Sequence, residues 1–156
     1  MNAKFLNSKE KKELTQELEE LYGINNLNNY LLLETGKKKI RAFSGNLSKE
    51  EMLKLSQSIR IEIIGMYMIS KRDEQARINF DALPVLKNQI KKNIIEINKE
   101  QLEKWIRGQD LELQVQRGTI VLKYEEDLVG VGKSNGEKIF NYIPKERKIK
   151  TQLPKI

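Results

Sequence analysis

Between residues 119 and 143, three short apolar runs follow one another with almost no chain left for connections. The first two runs, 119–124 and 128–132, are separated only by acidic residues, and Asn135-Gly136 precedes the third, which ends before Pro144. Such spacing is typical of neighbouring strands joined by tight turns, and Asn-Gly is a strong signal for a hairpin. The sequence therefore predicts a small β-rich unit in the C-terminal part of the chain.

One helix is predicted within this unit. Residues 94–97 favour a strand, and Asn98 to Gln101 then has the pattern of a helix cap. Trp105 shares one face of the helix with other apolar residues, so we expect it in the core, and Gly108 ends the helix. Residues 111–115 alternate strictly between apolar and polar and predict a further strand.

The last run leaves a choice of face. Phe140 and Tyr142 share one side of the predicted strand with Lys138, whereas Ile139 and Ile143 share the other. One pair belongs to the core, and we expect it to be the aromatic pair.

Residues before about position 91 alternate between helical and strand patterns. A capping box at 7–10 and another at 48–51 each precede a stripe of apolar residues, and Thr35-Gly36 separates two strand-like runs. The predicted elements are a helix from Asn7 to Gly23, strands at 30–33 and 39–43, a helix from Ser48, strands at 61–69 and 75–80, and a short helix at 81–90 capped by Asp81. The whole chain is thus predicted to be an α+β protein with domains at 1–90 and 91–156.

The charge is unevenly distributed. The net charge is +7, and the stretch 133–156 alone holds seven basic and two acidic residues. A basic segment that is not an amphipathic helix favours a nucleic acid over a membrane as partner.

The residue types that are missing exclude several kinds of chemistry. Cysteine and histidine are both absent, which removes disulfides, thiolate nucleophiles, His-based triads and the usual Cys/His metal sites. Gly132-Lys133-Ser134 resembles the end of a phosphate-binding loop, but Asp127 stands where that loop needs a glycine, and a strand follows in place of a helix. We therefore expect no catalytic residues, no metal and no cofactor, with Glu125 to Asp127 simply facing solvent.

The C-terminal stretches KNIIEINKEQLEKWIRGQDL and RGTIVLKYEEDLVGVGKS resemble the PUA domain, a small RNA-binding pseudo-barrel found in RNA-modifying enzymes. The ending FNYIPKERKIK is similar to the PUA segment of Sun-type RNA cytosine-5 methyltransferases, and the resemblance covers about residues 91–150. The N-terminal part, through IIGMYMISKRDEQARINFDALPVL, is similar in layout to the α/β pre-PUA domain of ribosome-assembly factors. This resemblance implies an N-terminal α/β pre-PUA-like domain followed by a PUA-type β pseudo-barrel.

In PUA domains, RNA meets the helix after the first strand, the loop that follows it and the last strand. The resemblance therefore implies RNA contacts at two groups of residues, which are Lys104, Arg107, Gly108 and Gln109, and then Lys145, Arg147, Lys148 and Lys150.

Three hypotheses about function follow. The first is a non-catalytic cytoplasmic protein that binds structured RNA, rRNA or tRNA, in ribosome biogenesis or RNA modification, together with assembly proteins or an RNA-modifying enzyme and without a membrane. The second is an RNA-binding accessory subunit of a separately encoded RNA methyltransferase or pseudouridine synthase. The third is a small enzyme that uses carboxylates or lysine.

Overall fold

The computed structural model describes residues 3–36, 38–44, 50, 51, 54 and 65–144. The chain divides into two compact units, residues 1–90 and residues 91–156. Each unit contains one sheet and at least one helix, so the prediction of an α+β protein is confirmed.

The N-terminal unit is built on a five-stranded antiparallel sheet. Its strands are hydrogen-bonded in chain order, and they are β1 (Ala3–Phe5), β2 (Leu31–Thr35), β3 (Lys39–Phe43), β4 (Met66–Ser70) and β5 (Arg77–Ile78). The predicted hairpin around Gly36 is confirmed as β2–β3, and the pairing of β4 with β5 across the polar turn is confirmed as well. Of the strand predicted at 61–69, residues 61–64 lie outside the described residues. Strand β1, which the sequence did not predict, pairs with β2.

Helix α1 (Ser8–Tyr22) begins and ends as its sequence predicts. The Asn7 side chain accepts a hydrogen bond from the Glu10 N–H, the Glu10 carboxylate accepts one from the Asn7 N–H, and Gly23 closes the helix with φ +85°. Its apolar stripe is buried, and the hydroxyl of Tyr22 donates to the Ala76 carbonyl at 2.6 Å. Because the hydroxyl group has this hydrogen-bond partner, a tyrosine can lie in the core.

The next two predicted helices have different outcomes. Of the one expected from Ser48, only Glu50, Glu51 and Lys54 are among the described residues, and they are helical. The one expected at 81–90 is reduced to a single turn, α2 (Leu83–Leu86), between two 3-10 segments. Its predicted cap is wrong, because Asp81 lies inside the first 3-10 segment and no side chain caps either start.

The C-terminal unit is a four-stranded sheet with one helix. Its strands lie in the order β6 (Ile94–Glu96), β7 (Gly118–Tyr124), β8 (Asp127–Ser134) and β9 (Ile139–Asn141), with β6 and β7 parallel and the other pairs antiparallel. Helix α3 (Lys99–Ile106) follows β6, and the predicted capping box of Asn98 and Gln101 is present.

The prediction of a strand at 111–115 is wrong. Only Leu111 pairs, through a single bridge to Ile139, and the Leu113 N–H then bends back to the Leu111 carbonyl at 3.0 Å. The alternation corresponds to burial, because Leu111, Leu113 and Val115 are buried or partly buried whereas Glu112 and Gln114 are exposed. The segment therefore covers the side of β9 without becoming a strand.

Candidate nucleic-acid interface

Helix α3 is held in place by Trp105, which is fully buried as predicted. Its Nε1–H donates to the Val129 carbonyl at 3.0 Å, and its ring lies over the backbone of Gly130 and Gly132. A Cβ atom at Gly130 would lie 2.5 Å from Nε1, and one at Gly132 would lie 2.8 Å from the ring. The two glycines thus form the seat of the indole, which gives the Gly-Val-Gly pattern a structural role.

The chain leaves α3 in a tight turn. Gly108 has φ +91°, its N–H donates to the Trp105 carbonyl, and the Gln109 N–H donates to the Lys104 carbonyl at 3.1 Å. The side chains of Lys104, Arg107 and Gln109 are left exposed. Lys104, Arg107, Gly108 and Gln109, the first group of predicted RNA contacts, are therefore contiguous, and we call them the α3 rim.

Strand β9 fastens this turn to the sheet. The side-chain amide of Asn141 donates to the Trp105 carbonyl at 2.7 Å and to the Gln109 carbonyl at 3.1 Å. Along the same edge, the Asn141 N–H donates to the Asp110 carboxylate and the Ile139 N–H donates to the Leu111 carbonyl, both at 2.8 Å. The α3 rim is consequently a fixed surface beside the last strand.

The second group of predicted contacts, Lys145, Arg147, Lys148 and Lys150, lies outside the described residues. Their role remains a prediction from the sequence.

The faces of β9 are opposite to the expectation. Ile139 and Ile143 are buried, whereas Phe140 and Tyr142 are only partly buried on the other side of the strand. A period of two identifies the residues that share a face but does not say which face is covered, and here the core takes the branched pair.

Two lysines that the sequence analysis did not select as contacts are neighbours of Phe140. Lys138 places its Nζ 4.9 Å from the centre of the Phe140 ring and 3.9 Å from the Asp110 carboxylate. Lys133 stands directly opposite Phe140 in the β8–β9 register. The Asn135-Gly136 hairpin signal already predicts that β8 pairs with β9, which brings Lys133 close to Phe140. With Phe140 assigned to the outer face of β9, the sequence would have identified this group of residues.

Carboxylates gather at the far end of β7 and β8. Glu125, Glu126 and Asp127 are exposed in the turn between these strands, as expected. Among the described residues, no three carboxylates are arranged to hold a metal ion, and no helix is long and apolar enough to cross a membrane.

Comparison with known proteins identifies the C-terminal unit. Residues 92–149 match the family model described as the Methyltransferase RsmF PUA domain. The C-terminal unit is a PUA domain. A solved structure agrees with this assignment of fold, since the crystal structure of a PUA domain from Aeropyrum pernix K1, in complex with tartrate, superposes with a TM-score of 0.52 at 13% identity. That superposition covers 87% of this chain and 73% of the archaeal one.

A curated relative connects the PUA domain to an RNA-modifying enzyme. The chain is 26% identical over 143 residues to the ribosomal RNA small subunit methyltransferase F of Shewanella woodyi. This alignment covers 90% of the chain, so it extends well into the N-terminal unit, but the chain spans only 28% of that methyltransferase.

Proposed function

We propose that this chain is a non-catalytic RNA-binding protein that uses its PUA domain to bind structured ribosomal RNA. The observation that carries the proposal is the α3 rim, where two exposed cations precede a glycine on a surface fixed by Asn141. The similarity of the PUA domain to that of a ribosomal RNA methyltransferase supports ribosomal RNA as the ligand.

The chemistry of the α3 rim suits a ribose-phosphate chain. Lys104 and Arg107 can each neutralise a phosphate and release its counterions, which makes binding depend steeply on salt. Gly108 has no side chain to hold the backbone of the RNA away. Hydrogen bonds to phosphates position an RNA without reading its sequence, so the α3 rim favours recognition of shape.

The basic stretch after β9 extends this surface in our proposal. Lys145, Arg147, Lys148 and Lys150 follow Pro144 directly, and Glu146 is the only acidic residue among them. We infer that they add phosphate contacts to those of Lys104 and Arg107.

A binding titration over a series of salt concentrations tests the proposal. With small-subunit ribosomal RNA as the probe, the logarithm of the affinity should fall linearly with the logarithm of salt concentration. The variant Lys104→Gln/Arg107→Gln should bind more weakly and lower that slope by about 2, because each phosphate contact contributes about 1. Arg147→Ala/Lys148→Ala should lower it by a similar amount.

The matched control is Lys123→Gln. Lys123 lies on β7 next to the acidic turn, and the negative charge of that turn should keep RNA away from this end of the strand. Removing the charge of Lys123 should therefore leave the salt slope unchanged. Affinity that does not respond to salt, or an equal loss in the control, would contradict binding at the α3 rim.

A second candidate is an RNA-binding partner of a methyltransferase. The alignment with the Shewanella woodyi enzyme favours it, since nearly the whole chain corresponds to about a quarter of a protein named for methylating ribosomal RNA. In this case the PUA domain presents RNA to a catalytic domain encoded elsewhere. Copurification of a methyltransferase with the tagged chain, surviving nuclease treatment, would favour this candidate over a protein that acts alone.

The wider setting of the proposal is ribosome biogenesis or RNA modification in the cytoplasm, with an N-terminal domain of the pre-PUA type. The structural superposition covers 87% of the chain and thus includes much of the N-terminal unit, and this likeness of fold supports that part of the proposal. Crosslinking the protein to RNA in its own cells and sequencing the fragments would separate ribosomal from transfer RNA.

A further inference from the structure

Phe140 lies on the face of β9 that is not used for the core around Ile139 and Ile143. Its neighbours Ile139 and Ile143 fill the interior of the unit, and Phe140 itself is only partly buried on the opposite face of β9. An aromatic residue beside a basic rim contributes a flat apolar surface that a lysine or a leucine could not supply.

Two lysines are neighbours of this ring. Lys138 is two residues before it on the same face, with Nζ 4.9 Å from the ring centre, and Lys133 is its partner across the β8–β9 pairing. Arg117 extends the positive surface, since its side chain passes beside Gly136 in the hairpin turn. In the described ranges, no carboxylate forms an ion pair with Lys133 or Arg117.

We propose that Phe140, Lys133 and Lys138, the Phe140 platform, bind one unpaired nucleotide of the RNA. The base stacks on the Phe140 ring, and the phosphates on either side of it contact Lys133 and Lys138. Alternation of an aromatic ring with cations is the pattern by which proteins hold single-stranded nucleic acid, because every base offers a π face and every nucleotide a charge. This proposal rests on the proposed RNA-binding function and specifies which part of the RNA is held.

The Phe140 platform is continuous with the α3 rim around the edge of β9. Asp110 joins them, because its carboxylate accepts the Asn141 N–H and lies 3.9 Å from Lys138 Nζ. In this proposal, an RNA bound at the α3 rim continues past Asp110 and around the edge of β9 to Phe140. Duplex RNA has no free base to place on the ring, so an unpaired loop or bulge is the expected occupant.

Lys138 must leave the ring for a base to stack there. Its contact with Phe140 is a cation–π interaction of a partly exposed lysine, which is weaker than the stacking of a base on an aromatic ring. On leaving the ring, Lys138 can form an ion pair with a phosphate in place of its 3.9 Å contact with the Asp110 carboxylate. The present position of Lys138 thus keeps the ring covered until RNA displaces it.

The test compares Phe140→Leu with Phe140→Trp in the full chain. The probes are an RNA stem-loop with 2-aminopurine in its unpaired loop and a blunt RNA duplex of the same stem. We expect Phe140→Leu to bind the stem-loop at least about fivefold more weakly, to lose the quenching of 2-aminopurine that stacking causes, and to keep the salt slope of the original protein. Phe140→Trp should retain the affinity, and its added tryptophan emission should be quenched by the stem-loop.

Tyr124→Leu is the matched control, since Tyr124 is a partly exposed aromatic of the same unit placed beside the acidic turn. It should leave binding unchanged. Equal affinity of Phe140→Leu and the original protein for the stem-loop would overturn the Phe140 platform, and so would tryptophan emission of Phe140→Trp that RNA does not quench. Failure of the proposed function looks different, because the original protein would then bind neither RNA in a salt-dependent manner.

Discussion

Replacing Gly132 with alanine should destabilise the C-terminal unit through steric overlap alone. The added Cβ would lie 2.5 Å from the Phe140 carbonyl oxygen, 2.6 Å from Ile139 Cγ2 and 2.8 Å from the Trp105 ring. Gly132 lies within β8, and its φ is not among the positive values that restrict side chains. The substitution therefore adds volume without adding backbone strain.

The size of the effect follows from which atoms obstruct the methyl group. Overpacking a core costs about 1–3 kcal/mol when side chains can shift. Here the nearest atom belongs to the backbone of β9, which cannot rotate away, so we expect a loss of about 3 kcal/mol or more. In a unit of this size that corresponds to a fall in Tm of about 12 °C or more.

Urea unfolding followed by tryptophan fluorescence measures this loss. The chain has one tryptophan, Trp105, so the signal reports on the C-terminal unit. Gly136→Ala is the control, because its Cβ would meet nothing closer than 3.6 Å and its φ of +96° imposes only a conformational cost of about 1–2 kcal/mol. A Gly132→Ala protein as stable as the original to within about 0.5 kcal/mol would refute the reasoning that these glycines are the seat of Trp105.

Two further predictions concern hydrogen bonds. Asn141→Ala removes two side-chain hydrogen bonds, those to the Trp105 and Gln109 carbonyls, although the Trp105 carbonyl keeps the Gly108 N–H. Urea unfolding should therefore show a loss of about 1–3 kcal/mol, and RNA titration should show weaker binding at the α3 rim; unchanged values in both would contradict the role of Asn141 in holding the turn. Hydrogen bonds from the Asn7 N–H and from Lys4 Nζ lower the pKa of Glu10, so the stability they give is present above the unfolded value and lost as the pH falls through the folded pKa. Thermal melts of Glu10→Gln should accordingly differ from those of the original protein near neutral pH and converge with them as the pH falls through the lowered pKa of Glu10, and a constant difference would contradict this linkage.

The elements that the sequence identified correctly are those fixed by local chemistry. Asn7 with Glu10 and Asn98 with Gln101 define helix starts within four residues, and the short connections between strands leave only antiparallel neighbours. Trp105 was placed in the core because its helical neighbours are apolar. In each case the decisive information lies within a few residues of the element.

The errors arise where the local structure depends on contacts with distant parts of the chain. Residues 111–115 alternate like a strand, yet Leu111 finds only Ile139 to pair with, and the chain bends away after it. Whether Phe140 or Ile139 faces inward depends on which side of the sheet α3 and Trp105 occupy. For the α3 rim, the sequence indicated the charged residues, but the contact of Asn141 with Gln109 joins positions 32 residues apart.

The outward edge of β9 has a consequence for the kinds of partner this domain accepts. The N–H groups of Ile139 and Asn141, which point away from β8, are already bonded to Leu111 and Asp110. A peptide that recognises proteins by adding a strand needs such groups to be vacant. A partner at this edge must therefore contact side chains, as an RNA does. A peptide that binds by adding a strand to the sheet finds no free N–H group here.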